Sequence, residues 1–267
     1  MPASALMNVM VGAARKAGRS LARDFGEVEQ LQVSVKGPGN FVSAADHKAE
    51  EIIYRELSKA RPGYSFLMEE RGEVPGDDRT HRWIVDPLDG TTNFLHGVPL
   101  FAISIGLERE GQLVAGLVYN PISDEMFAAE KGKGAYLNDR RRLRVAARKN
   151  LGDALVTTGI PHMGRPGHAT FVREIKEVTK HVAGVRRTGS AALDLAWVAA
   201  GRFDVYWERG IKPWDMAAGI VLVREAGGTA TDLSGGAAMF DKSEVLAANS
   251  TLQKEFLPLL AAAPAGA

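Results

Sequence analysis

Apolar residues recur three or four positions apart at Leu6, Val9, Met10, Ala13, Ala17, Leu21 and Phe25, which predicts an amphipathic helix over about residues 4–28. Its opposite face is mixed in charge rather than purely basic, so the stripe is read as facing a core and not a membrane. A second helix is predicted from about Ala44 to Ala60, with Ser43 placed to cap its start and Pro62-Gly63 to end it. Short runs of aromatic and branched residues follow. They predict strands at Tyr64–Met68 and Arg82–Val85, the second closed by Asp86-Pro87. Phe101–Glu108 and Leu113–Tyr119 flank Arg109-Glu110-Gly111-Gln112 and read as a hairpin. Glu125–Ala129 and Ala135–Leu137 are shorter strands. The second half alternates. Strands are predicted at Ala154–Thr158, Val185–Arg187, Phe203–Trp207 and Val245–Ala248, and helices at His168–His181, Ser190–Ala200, Trp214–Ala226 and Leu252–Leu260. An antiparallel-rich half followed by a βαβα half predicts layered sheets and helices, an α/β architecture. No repeat or low-complexity linker interrupts the chain, and only the tail Ala261–Ala267 reads as frayed.

The 267 residues are roughly 1.8 times a typical ~150-residue domain. We read them as a single unit, 1–267, with an α+β half over about 1–145 and an α/β half over about 146–267. With 45% hydrophobic and 24% charged residues the composition is that of an ordinary globular protein, which excludes intrinsic disorder. Basic and acidic residues nearly cancel, 33 against 32, so no global basic field gathers nucleic acid or acidic lipid. The absence of Cys excludes disulfides, Cys-ligated zinc, iron–sulfur clusters and a Cys nucleophile, and fits a reducing compartment. No apolar run reaches the ~18–20 residues that span a bilayer. Arg15, Lys16 and Arg19 follow the first apolar residues rather than precede them, the wrong order for a secretory signal. The expected location is the cytoplasm, without membrane contact. The six His residues form no zinc pattern, and neither a phosphate-binding G-x-x-x-x-G-K-[ST] loop nor a G-x-S-x-G elbow is present.

The chemistry concentrates in Trp83-Ile84-Val85-Asp86-Pro87-Leu88-Asp89-Gly90-Thr91-Thr92-Asn93-Phe94. A hydrophobic strand delivers Asp86 at its end, Pro87 fixes the backbone and Gly90 permits a tight turn. Asp86 and Asp89 thus share one turn, and Leu88 can pack its side chain inward while offering its carbonyl oxygen. Such hard oxygen donors suit Mg²⁺ or Mn²⁺. Gly90-Thr91-Thr92 reads as the first turn of a short helix whose N–H groups would bind an anion. Glu69-Glu70 follows another strand, and adjacent acids there point to different sides, so one is expected to serve the site and the other to face solvent. Asp215 opens a long apolar helix, where an Asp also reads as a cap. Glu208 follows a strand, and Asp46 sits in a first helical turn, where an acid favours the dipole without any further role.

These motifs, with Arg186-Arg187-Thr188-Gly189-Ser190-Ala191-Ala192 and the Trp214-Asp215 helix running into Ala226-Gly227-Gly228, resemble the inositol monophosphatase family, and most closely its bacterial SuhB-like members. The resemblance spans about Lys36 to Asn249. It implies a layered αβαβα sandwich of the inositol monophosphatase/fructose bisphosphatase type, a homodimer, and lithium-sensitive, Mg²⁺-dependent hydrolysis of myo-inositol monophosphate. Glu69, Asp86, Asp89, Asp215 and the Leu88 carbonyl would hold two to three ions per site, with Mn²⁺ as a substitute. Glu69 and the Thr91 hydroxyl would position the attacking water, with two cations ~3.5–4 Å apart clamping the attacking and leaving oxygens. Leu88, Asp89, Gly90 and Thr91 would bind the phosphate side. Arg186, Gly189, Ser190, Ala191, Glu208 and Asp215 would line the substrate pocket. Asn40 departs from the Asp of many members, which bears on the weakest metal site.

Two alternatives stay open. Sibling esters are histidinol phosphate, 3′-phosphoadenosine 5′-phosphate and fructose bisphosphate. A role from another class is a SuhB-like contact with RNA polymerase or Nus factors. The run Arg140-Arg141-Arg142, with Arg144, Arg148 and Lys149 and near Lys131 and Lys133, would serve it; the same run also reads as a solvated loop.

Overall fold

In a computed structural model of the chain, residues 4–27, 33–37, 40–161 and 166–262 are described, of which 33–37, 40–43 and 262 by backbone alone. The Ser43 cap, the Asn40 side chain, His162 and the tail beyond residue 262 lie outside the described set.

Helix α1 (Ala5–Phe25) starts where Ser4 Oγ accepts the Met7 N–H at 3.0 Å, and it buries the apolar stripe read from the sequence. A hairpin that the periodicity did not predict, β1 (Val33–Gly37) with β2 (Asn40–Ser43), precedes α2 (Ala44–Ala60). The first large sheet contains β3 (Tyr64–Met68), β4 (Gly72–Val74), β5 (Asp78–Asp89), β6 (Ala102–Arg109), β7 (Gln112–Asn120), β8 (Glu125–Glu130), β9 (Gly134–Leu137) and β10 (Arg141–Arg142). A short helix, α3 (Thr91–Leu95), leaves β5. The order is β10-β9-β8-β7-β6-β5-β3-β4, antiparallel except for the β3–β5 pair. The turn between β6 and β7 places Glu110 and Gly111 at φ 51° and 74°, the two positive values that let a tight turn follow the twist of its strands.

The second sheet has the order β12 (Gly184–Arg186), β11 (Leu155–Thr158), β13 (Val205–Arg209), β15 (Glu244–Ala248), β14 (Thr229–Thr231). Its first three strands are parallel and its last two pairings antiparallel. The helices of this half are α4 (His168–Val178), α5 (Ala191–Ala199), α6 (Pro213–Glu225), α7 (Met239–Lys242) and α8 (Ser250–Ala262). β4, β14 and α7 were not anticipated. They are too short to show a period.

Five layers result. Helices α1 and α2 cover one face of the large sheet, α5 and α6 fill the space between the sheets, and α4 and α8 cover the far face of the second. Each apolar cluster is one of these interfaces. The middle layer is held close by small residues. Gly106 and Gly116 pair across β6 and β7, and α6 lies on them so tightly that a Cβ on Gly116 would sit 2.4 Å from the Ala218 carbonyl oxygen. That approach carries the N-terminus of α6, with Asp215, to the end of β5.

Candidate active site

Strand β5 delivers Asp86 and Asp89 with a shift of register against β6 between them, which accommodates Pro87. Leu88 is fully buried under α1 and α2, and its N–H donates to Asp86 Oδ1 at 2.8 Å. Gly90 adopts φ 95°, and a Cβ there would lie 3.0 Å from the Leu100 carbonyl oxygen, so glycine is required. The first intrahelical bond of α3 is Phe94 N–H to the Gly90 carbonyl at 3.0 Å, which leaves the preceding N–H groups outside the helical ladder. Thr91 Oγ1 lies 3.0 Å from the Leu88 carbonyl oxygen and 3.3 Å from Asp46 Oδ2.

Other elements converge on this turn. Glu50 of α2 accepts the Glu70 N–H at 2.8 Å, fixing the corner that follows β3. One carboxylate oxygen from each of Asp46, Glu69 and Glu70 lies within 4.8 Å of the others, and the same holds for Asp86, Asp89 and Asp215. Ser190, the cap of α5, donates from Oγ to Asp89 Oδ2, and the Ala192 N–H donates to the same oxygen at 2.8 Å. Asp215 Oδ2 accepts the Lys212 N–H at 2.7 Å. The Tyr206 hydroxyl donates to Glu208 Oε2 at 2.7 Å. Asn93 Nδ2 donates to the Leu100 carbonyl at 2.6 Å and the Thr188 carbonyl at 2.8 Å, tying α3 to the turn before α5.

The result is a pocket of about 130 Å³. Glu69, Asp86, Leu88, Asp89, Gly90, Thr91, Gly189, Ser190, Ala191, Glu208 and Asp215 all line it. Arg186 does not. It is exposed and its guanidinium donates back to the Val185 carbonyl at 3.0 Å, while Arg187 lines the pocket in its place. Neighbouring residues at the end of β12 project to opposite sides, and the sequence does not say which side is the pocket. Glu70 is a second correction: its side chain is 3% exposed and joins the acidic cluster instead of facing solvent. Two further acids are buried, each 1% exposed: Asp46, which the sequence reads only as a dipole-favouring acid, and Asp194, which it does not single out. The signal for Asp46 was present. Asp46 and Glu50 lie four apart beside Ala45, Ala49, Ile53 and Leu57, on the core side of α2.

Crowding of like charge dominates the electrostatics. Burial pushes the Asp86 carboxyl well above the usual range, and Glu69, Asp89, Asp215 and Asp46 push it further. Asp89 is pushed up to about 7 by burial and by Asp215, against the hydrogen bonds from Ser190 and the α5 backbone. Asp215 is likewise pushed up to about 7, mainly by burial, with Glu69 and Glu208 adding and the Lys212 N–H opposing. Burial also raises Asp194, against hydrogen bonds from Thr188 and Thr157. A donor set of carboxylates and one carbonyl, in a chain without Cys, fits hard divalent cations, whose charge offsets this repulsion.

The inositol monophosphatase family model matches residues 3–265. The inositol-1-monophosphatase of Mesorhizobium japonicum is 63% identical over 96% of this chain and 96% of its own. The Nus factor SuhB of Escherichia coli is 40% identical over 94% of each. The crystal structure of extragenic suppressor protein suhB from Bartonella henselae superposes with a TM-score of 0.94 at 59% identity, covering 96% of this chain and 98% of that one. With the five layers and the convergent acids, these matches establish that the chain belongs to the inositol monophosphatase family.

Proposed function

We propose that the chain is a Mg²⁺-dependent phosphomonoesterase that hydrolyses myo-inositol monophosphate to inositol and phosphate. The observation that carries this reading is the meeting of the Asp86, Asp89 and Asp215 triad, Glu69, the Thr91 hydroxyl and the start of α3 in one small pocket, with carboxylate oxygens of Asp46 and Glu70 within 4.8 Å of one of Glu69. The identity with the Mesorhizobium japonicum relative supports the choice of ester. Glu69, Asp86, Asp89, Asp215 and the Leu88 carbonyl would hold two to three cations, Mg²⁺ first and Mn²⁺ as a substitute. Bound there, the cations supply Lewis-acid charge to the phosphoryl group and the leaving oxygen. Glu69 and Thr91 Oγ1 orient the attacking water, with Asp46 Oδ2 3.3 Å from the Thr91 hydroxyl. The N–H groups of Gly90 and Thr91 face the phosphate. Gly189, Ser190, Ala191 and Glu208 line the alcohol side, and Arg187 takes the place expected of Arg186. Held by Tyr206, Glu208 accepts a hydroxyl of the polyol. Inhibition by lithium, a homodimer and a cytoplasmic location belong to the same reading; among the described residues no helix is long and apolar enough to cross a membrane.

The test is phosphate release from inositol 1-phosphate by the purified protein with Mg²⁺, with and without EDTA and with lithium. Release that EDTA abolishes and lithium inhibits is expected. Release only from histidinol phosphate, 3′-phosphoadenosine 5′-phosphate or fructose bisphosphate would move the substrate, and silence on all four would overturn the reading.

The relatives named Nus factor favour a second role as a partner of RNA polymerase or a Nus factor. The supporting observation is a group of exposed basic residues, Arg141 and Arg142 on the edge strand β10 with Arg140 and Arg144 flanking it. Capture of polymerase or Nus factors by the protein, lost when Arg140–Arg142 are neutralised while phosphatase activity is kept, would establish it. Capture indifferent to that change would exclude this patch.

A further inference from the structure

Asp194 is a buried acid that neither the hydrolysis nor the sheet pairing explains. It sits in the first turn of α5, 1% exposed, and lines the same pocket. Its Oδ1 accepts two hydroxyls, Thr188 Oγ1 at 2.8 Å and Thr157 Oγ1 at 2.9 Å. The Thr188 hydroxyl has a second acceptor in reach, the Ser190 carbonyl at 3.4 Å, and the shorter, stronger contact to Asp194 fixes the direction of its hydrogen. So directed, Thr188 Oγ1 offers its lone pair to the Ser190 N–H at 3.3 Å. Ser190 in turn donates from Oγ to Asp89 Oδ2. The chain of contacts runs from Asp194 through Thr188 and Ser190 to Asp89.

We propose that Asp194 is a positioning residue that sets the orientation of the Asp89 carboxylate through Thr188 and Ser190. The proposal rests on the reading of Asp89 as a metal ligand. A hydrogen-bond partner that orients a ligand carboxylate commonly changes metal affinity by about 10–100-fold when removed. Thr157 provides an internal contrast. It binds the same Asp194 oxygen, but its hydroxyl leads away from Ser190, to the Arg186 carbonyl at 3.3 Å.

The experiment measures Mn²⁺ binding to cation-free protein by electron paramagnetic resonance, beside kcat and KM for the Mg²⁺-supported reaction. Asp194→Ala, Ser190→Ala and Thr188→Val are each expected to weaken Mn²⁺ binding about tenfold or more. The double variant Asp194→Ala/Ser190→Ala is expected to be no weaker than Ser190→Ala alone, because both act along one path. Thr157→Val is expected to bind as the wild type does, and Asp194→Asn, which keeps an acceptor oxygen, to recover most of the loss. Effects of Asp194→Ala and Ser190→Ala that multiply in the double variant would overturn the proposal. A Thr157→Val loss equal to that of Thr188→Val would also overturn it, by showing that Asp194 only supports the end of the sheet. If Asp194→Ala does not fold, the Thr188→Val and Thr157→Val pair decides. Wild-type protein that binds no Mn²⁺ overturns the ligand reading itself, an outcome separate from multiplicative variants of a protein that does bind.

Discussion

The Ser104 hydroxyl donates to the Trp214 carbonyl at 2.9 Å, across the boundary between the large sheet and the middle helical layer. Ser104 is the register partner of Asp86, and Trp214 immediately precedes Asp215. One hydrogen bond thus sets the spacing between two acids separated by nearly half the chain. The hydroxyl needs its strand and its helix to be close, and the glycines of β6 and β7 permit that closeness.

Gly116→Ala is therefore expected to damage the site from a distance. Its added Cβ would meet the Ala218 carbonyl oxygen, a backbone atom that moves only if α6 moves. We expect a loss of about 3 kcal/mol in stability, the upper part of the overpacking range. A fall in kcat/KM should accompany it as Asp215 shifts. Gly12→Ala is the control. It lies in α1 with nothing within 4 Å of the added carbon, and helix propensity predicts a gain of up to about 1 kcal/mol. Urea unfolding of both variants tests the contrast, and equal effects would refute the packing argument.

Asp89→Asn should separate activity from stability. Loss of a ligand that stabilises the transition state is expected to cost about 3 kcal/mol, roughly a hundredfold in kcat/KM. In the absence of divalent cations and above about pH 7, where Asp89 is ionised, the same change removes a like charge from a crowded cluster, so the melting temperature should rise there. Near-normal turnover by the pure variant would sink the assignment.

What the sequence disclosed follows from what each signal depends on. The stripe of α1, the hairpin of β6 and β7 and the turn Asp86–Gly90 are local, and local pattern reveals them. The strand carrying that turn is longer than its apolar run, because Asp78–His81 hydrogen-bond to the neighbours of an otherwise polar segment. The exact partners in the site are non-local. Asp46 reads as a dipole-favouring acid until Thr91, on another element, is brought to 3.3 Å. Asp194 reads as one more helical residue until Thr157 and Thr188 close on it. Arg186 and Arg187 are chemically alike, and only the placement of β12 decides between them.

Asn93 is the narrowest bridge between the two halves of the site. Its amide donates to two carbonyls, at Leu100 and Thr188, so an acceptor cannot replace it. Asn93→Asp would set a carboxylate against both carbonyls at a position only 7% exposed. We expect destabilisation of about 2–3 kcal/mol or more, as for a buried charge left without a partner. KM should rise as the Thr188–Ala191 segment loosens, and KM unchanged in a folded variant would show that Asn93 serves stability alone.

The buried acids also predict how pH acts on the protein with and without metal. In cation-free protein Asp89 and Asp215 keep their protons until about pH 7, whereas in the unfolded chain they lose them near the ordinary value of 3.8. Between those limits the folded state binds more protons than the unfolded one. Stability from these groups is therefore fully present below about pH 4 and is lost as pH rises to about 7. A divalent cation needs both carboxylates ionised, so its binding releases protons and its affinity grows over the same window. Melting temperatures at about pH 5 and about pH 8, with and without Mg²⁺, measure both effects. The contribution of these groups without the cation should be lower at the higher pH, and the increment that Mg²⁺ adds should be larger there. Asp89→Asn should flatten the pH dependence of the cation-free protein. An Mg²⁺ increment that is the same at both pH values would show that the cation does not bind at these carboxylates.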